Sequence, residues 1–136
     1  MNESEFDEFL DRVDGMILDR DGKPISHREW GRLRQREDYY RVAQHRLNGL
    51  WVSTVWLGIN HEGRPDAPPL IFETMVFPDD AAASDWDYQD RYSTLPQARV
   101  GHERVVAAIR TGQSCEDFTR SEDGRLLRSH DPEMRQ

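Results

Sequence analysis

Three side chains of this 136-residue sequence, Glu73, His45 and His102, have the types needed for acid–base chemistry. Glu73 interrupts an apolar stretch, and a desolvated carboxylate is costly unless it is paired or hydrogen-bonded. Burial or a neighbouring histidine can tune such groups for proton transfer near neutral pH. If the chain is a small enzyme or a ligand-binding domain, we expect these three residues to form its site. The alternative is that Glu73 pairs with an arginine or with backbone donors, or lies at an edge in water. His102 would then be a core-edge residue, and His45 would be exposed or would simply pack on the sheet.

A second candidate site is the acidic segment after residue 78, where two aromatic residues lie among aspartates. Large rings dominate the energetically important positions of protein interfaces, and the carboxylates would attract a basic partner. This pattern predicts a protein-contact surface, to which the loop at 60–69 would contribute. The alternative is that the rings cover a sheet and the acids are solvated. The predicted contact residues are Trp86, Tyr88, Asp85, Asp87, His61 and Arg64.

The sequence lacks the common motifs for metals and cofactors. His102 and Glu103 begin an H-E-x-x-H pattern, but Val106 stands where the second histidine belongs. The single cysteine, Cys115, makes a cysteine-built zinc site implausible and allows no internal disulfide. Phosphate-binding loops and the G-x-S-x-G nucleophile motif do not occur. We therefore predict no metal site and no cofactor, and we favour a protein that is not an enzyme.

Charge is distributed unevenly along the chain. There are 26 acidic and 18 basic residues, giving a net charge of −8, and six of the acids lie within the first 14 residues. Direct nucleic-acid binding is disfavoured, because it depends on clustered basic side chains that neutralise phosphates. The N-terminus is acidic and no long apolar run occurs, so neither secretion nor membrane insertion is expected. The sequence therefore predicts a cytoplasmic protein.

An asparagine–glycine pair at 48–49 predicts a type I′ turn between two strands, since both turn positions need a positive φ. The two strands would then be Tyr40–Leu47 and Leu50–Ile59. This register decides which side chains share a face of the sheet. The predicted facing pairs are Leu47 with Leu50, His45 with Val52, Val42 with Val55, and Arg41 with Trp56.

Two capping boxes mark the starts of two helices. Ser26–Glu29 begins a helix over 27–36, and Thr94–Gln97 begins a longer one over 95–110. The longer helix has one apolar stripe, so it should lie on the sheet, and Gly101 would allow a close approach. We expect its partner face to include Val55, Leu57 and Phe72.

The expected fold is α+β: a three-stranded antiparallel meander covered on one face by two helices, with a short N-terminal hairpin. Residues 70–77 give the third strand, and the acidic stretch 79–90 is interpreted as a loop. A single domain should span 16–110. An acidic helix within 1–15 and a polar tail over 111–136 would form N- and C-terminal extensions.

Four segments form a recognisable pattern: WVSTVWLG at 51–58, PPLIFETMVF at 68–77, RYST at 91–94 and GH at 101–102. They resemble a family of small uncharacterised proteins of bacteria and their phages. The similarity covers roughly residues 16–110, and the chain differs by its acidic N-terminal extension and its C-terminal tail. The family has no known activity, so the resemblance implies no catalytic residue.

Together these patterns favour a small acidic accessory protein of phage or prophage type that acts through protein contacts. An enzyme or ligand-binding domain that uses Glu73 with His45 and His102 is the alternative. A structural subunit whose tails assemble into a homo-oligomer is a second alternative.

Overall fold

Strands and helices account for most of the residues placed in the computed structural model, which describes residues 2–5, 16–60, 66–79, 86, 88–115, 118–120 and 126–128. The fold is α+β. Four strands form one antiparallel sheet in the order β1-β2-β3-β4, helix α3 packs against all four, and β5 and β6 form a separate pair. The elements are α1 (His27–Leu33), α2 (Glu37–Tyr40), β1 (Arg41–Leu47), β2 (Leu50–Trp56), β3 (Phe72–Pro78), β4 (Tyr88–Tyr92), α3 (Leu95–Arg110), β5 (Phe118–Arg120) and β6 (Leu126–Arg128).

The predicted turn between β1 and β2 is confirmed. Asn48 and Gly49 both have positive φ, 53° and 75°, as a type I′ turn requires. The Asn48 side chain also donates a hydrogen bond to the carbonyl of Ile109, 3.0 Å away, which ties the turn to the end of α3. Two predicted pairs are confirmed, Leu47 with Leu50 and His45 with Val52.

The register of β1 shifts by one residue near its start. Arg41 pairs with Val55 and Ala43 pairs with Thr54, so Val42 is an extra residue that has no partner on β2. This is a β-bulge, in which two residues of one strand oppose one residue of its neighbour. The bulge makes two predicted pairs wrong, Val42 with Val55 and Arg41 with Trp56.

A fourth strand, β4, lies partly within the stretch that was expected to be a loop, so the prediction of three strands is wrong. Tyr88 pairs with Val76 and Tyr92 pairs with Phe72. The acidic composition obscured the strand, yet its residues alternate as a half-buried strand requires, because Tyr88, Asp90 and Tyr92 are all buried.

Helix α3 covers one face of the sheet, and it is not the face expected from the sequence. Side chains alternate between faces along a strand. Val52 and Thr54 lie under the helix, so Val55 faces the opposite way. Of the three residues expected on the helix-facing side, only Phe72 packs in the cluster that contains the helix residue Ala98. The other face carries Trp51, Ser53, Val55, Glu73, Met75 and Phe77.

Both predicted helices form, with different agreement at their ends. α3 has the predicted bounds, and Thr94 and Gln97 form the capping box in both directions. α1 begins after Ser26, whose hydroxyl accepts from the amide of Glu29, but it stops at Leu33. The chain then turns through residues 34–36 into the four-residue helix α2.

The predicted N-terminal hairpin is present as a tight turn that brings Leu18 beside Pro24. Asp19 closes it, because its carboxylate accepts the amides of Asp21 and Lys23, and Gly22 has a φ of 84°. Most of the predicted acidic helix and much of the tail lie outside the described residues. Within the described ranges, no helix combines the length and apolarity needed to cross a bilayer.

Candidate functional site

A hydrogen-bonded row of five polar side chains runs beneath α3, with one member from each strand of the main sheet and one from the helix. The Tyr92 hydroxyl donates to Thr74 Oγ1 over 3.1 Å, and Thr74 Oγ1 lies 2.5 Å from Thr54 Oγ1. Thr54 Oγ1 is 2.7 Å from Nδ1 of His102. Nε2 of His102 is 2.8 Å from Nδ1 of His45.

Strand register and helix packing place these side chains together. Thr54 and Thr74 are directly paired across β2 and β3, so their side chains share the helix-facing surface. His102 projects from the buried side of α3. Gly101, the preceding residue, lets the helix approach, because a Cβ there would lie 2.2 Å from the Tyr92 hydroxyl oxygen.

The row extends from the interior to the surface. Thr54, Thr74 and His102 are fully buried, whereas His45 is exposed. Burial, together with the neighbouring charge of His45, lowers the pKa of His102 to about 4, although the Glu103 carboxylate acts in the opposite direction. Burial and the charge of Asp90 raise the pKa of Tyr92. At neutral pH His102 is therefore an uncharged imidazole with one nitrogen able to accept.

The depressed pKa of His102 predicts a pH-dependent stability. In the unfolded chain this imidazole has its ordinary pKa of 6.5, so below that pH the unfolded state binds a proton that the folded state does not. The free energy of unfolding should fall by about 2 kcal/mol between pH 7.5 and pH 5 because of His102 alone. Urea denaturation of the wild type and of His102→Gln at each pH, with a chelator present, measures this contribution of His102. If the free energy of unfolding changed equally with pH in the two proteins, the prediction would be wrong.

His45, His102 and Glu103 bring three potential metal ligands together. One nitrogen from each histidine and a carboxylate oxygen all lie within 4.8 Å of one another. Ligands at ~2.0–2.1 Å from a tetrahedral ion are about 3.3 Å apart, so the two rings need to separate by about 0.5 Å. His45 and Glu103 are exposed and can make this adjustment, while His102 is held from behind by Thr54.

Glu73, the third residue of the predicted trio, does not join the histidines. It lies on the opposite face of the sheet, where its carboxylate accepts from Arg91 Nε over 3.1 Å and from Gln89. Its side chain is 12% exposed, so the arginine compensates for the partial loss of water. The trio is therefore wrong at Glu73, and the alternative of pairing with an arginine is confirmed.

The two aromatic residues of the predicted contact surface are core residues. Trp86 is 5% exposed and Tyr88 is 4% exposed, and both pack in the cluster under α3 with Val105 and Val106. The rings therefore cover the sheet, which was the alternative considered from the sequence. The other four predicted contact residues, Asp85, Asp87, His61 and Arg64, lie outside the described residues.

Sequence reasoning did not select the other members of this site. Thr54 and Thr74 lie in strands where apolar residues alternate. The signal available in the sequence was that each of these two neighbouring strands has a hydroxyl on its buried face. Glu103 was considered only as part of a failed zinc-helix motif. Its convergence with His45 of β1 depends on tertiary packing, which spacing along one helix cannot reveal.

Comparison with known proteins found no relative of this chain. No protein-family model matches the chain, and no curated protein or solved structure is significantly similar to it. The resemblance to small bacterial and phage proteins therefore stays an expectation.

Proposed function

We propose that this protein binds a divalent first-row transition-metal ion through His45, His102 and Glu103. The convergence of the three ligand atoms within 4.8 Å carries the proposal. Two imidazoles and one carboxylate are a donor set that suits zinc and its neighbours, and a surface position leaves room for water or a further ligand. This proposal replaces the metal-free site expected from the sequence.

The hydrogen bond between the two rings supports the proposal. At 2.8 Å, one proton is shared between Nδ1 of His45 and Nε2 of His102. An ion that replaces this proton would use the same two lone pairs. Because the pKa of His102 is about 4, the buried ring needs no deprotonation at neutral pH before it can act as a ligand.

Metal binding is tested by titrating chelator-treated protein with Zn²⁺ against a chromophoric chelator, and with Co²⁺ by its visible spectrum. We expect one ion per chain. His45→Ala should weaken binding by at least about 100-fold, because loss of a ligand exceeds the ~10–100-fold cost of losing an outer hydrogen-bond partner. Glu103→Gln should weaken it less, since an amide oxygen remains.

His27→Gln is the matched control, because it removes a histidine outside the three-residue cluster. It should bind the ion like the wild type. Failure of the wild-type protein to bind Zn²⁺ or Co²⁺, or equal affinity in His45→Ala, would overturn the proposed function.

Protein contact stays as the second candidate function, and an observation on the face of the sheet opposite α3 favours it. Phe77 is 37% exposed and its ring centroid lies 5.4 Å from that of Trp51, which Arg41 and Arg46 flank. We propose this face as the contact surface in place of Trp86 and Tyr88. Crosslinking from position 77 in the native host tests it; products unchanged by Trp51→Ala would contradict it.

A further inference from the structure

Each hydroxyl in the row behind His102 has only one proton to donate. Tyr92 donates to Thr74, and Thr54 has two hydrogen-bond neighbours, Thr74 Oγ1 and His102 Nδ1. Without an ion, the His45 ring can either give or accept the proton between the histidines. Thr54 can therefore give its single proton either to His102 Nδ1 or to Thr74 Oγ1.

A metal ion at Nε2 of His102 removes this freedom. The nitrogen then uses its lone pair on the ion, so the ring proton must be on Nδ1 and must point to Thr54. Thr54 in turn donates to Thr74 Oγ1, whose second lone pair still accepts from the Tyr92 hydroxyl. Every member of the row still has a partner, which matters because an unpaired buried polar group is costly.

We infer that the row Thr54–Thr74–Tyr92 positions His102 as a metal ligand by fixing its proton on Nδ1, and that Thr54 is the decisive positioning residue. This inference rests on the proposed metal site. Its basis is the 2.7 Å contact between Thr54 Oγ1 and Nδ1, between groups that are both fully buried. Partners of this kind orient the ring and raise its basicity as a ligand.

Two substitutions at position 54 separate positioning from packing. Thr54→Val keeps the volume but removes the acceptor, so Zn²⁺ affinity should fall by about 10- to 100-fold. Thr54→Ser keeps the hydroxyl but leaves a small cavity, so it should lose stability and yet bind the ion with near wild-type affinity. If Thr54 acted only through packing, the less stable of the two variants would also be the one that binds Zn²⁺ more weakly.

Ser53→Ala is the matched control, since it removes a buried hydroxyl from the adjacent residue on the opposite face of β2. It should leave the affinity unchanged. Thr74→Val should weaken binding less than Thr54→Val, because it removes the next acceptor along the row.

Nitrogen-15 NMR of the wild-type histidine rings provides a readout that does not depend on any variant folding. In the Zn²⁺ form, His102 should carry its proton on Nδ1 and coordinate through Nε2. Coordination through Nδ1, or equal affinity in folded Thr54→Val, would overturn the inference while leaving metal binding intact. Absence of Zn²⁺ binding by the wild type would instead overturn the proposed function on which the inference rests.

Discussion

Gly101→Ala is expected to destabilise the protein by about 3 kcal/mol, although the same exchange inside a helix normally stabilises by about 1 kcal/mol. The reversed sign comes from the neighbour that the new methyl group meets. A Cβ at position 101 would lie 2.2 Å from the hydroxyl oxygen of Tyr92 and 2.3–2.4 Å from two carbons of its ring. The ring is buried and hydrogen-bonded to Thr74, so it cannot rotate away without breaking that bond.

Gly31→Ala gives the matched control for this substitution. Gly31 lies within α1, and an added Cβ would have no atom within 4 Å, so the usual gain from alanine should appear. Urea denaturation of both variants measures the two changes in the free energy of unfolding. A Gly101→Ala protein as stable as the wild type would show that α3 does not lie as close to β4 as described.

The core of the sheet was predictable because its strongest signal is local. The Asn48–Gly49 pair selects one turn geometry, and that turn fixes the nearest pairs of β1 and β2. The predicted register is wrong farther from the turn, where Val42 forms a bulge. The extra residue near the start of β1 is a valine and not the glycine that marks one type of bulge, so no residue type in this stretch indicates the shift.

Strand β4 shows how composition can conceal a period-two pattern. Asp90 is buried between two tyrosines on the helix-facing side, where an acid was taken as a loop signal. Its carboxylate accepts the backbone amide of Arg91, and the hydroxyl of Tyr88 lies 3.5 Å away, which supplies part of the hydrogen bonding a buried acid needs. The alternation was visible in the sequence, but the compensation for the acid was not.

The two histidines of the candidate site could be predicted from the sequence, whereas its carboxylate, Glu103, could not. Glu73 was grouped with His45 and His102 because it is the carboxylate in the apolar third strand. Its neighbour Phe72 faces the helix, so strand alternation alone puts Glu73 on the other side of the sheet. The expectation that Phe72 faces the helix therefore already conflicted with the grouping of Glu73 and His102, whereas the acid that does lie near the histidines, Glu103, was revealed only by tertiary packing.

Trp86→Ala is expected to cost about 3–5 kcal/mol of stability, because truncating a buried tryptophan removes apolar contacts and leaves a cavity. The ring is 5% exposed and packs under α3 in the cluster with Val76 and Val105. This result would separate the two roles considered for this residue, since a surface anchor for a partner can be removed at little cost to folding.

Phe77→Ala is the control for Trp86→Ala, because it truncates an aromatic residue that is 37% exposed on the opposite face. Its cost should be about 1 kcal/mol, limited to its contact with Trp51. Unfolding curves in urea at pH 7.5 compare the two variants directly. If Trp86→Ala matched the wild type, the ring would not be part of the core, and the segment around it would regain its place as the expected contact surface. If Trp86→Ala loses stability as expected, a contact function would have to use another surface, such as the one at Trp51 and Phe77 on the face of the sheet opposite α3.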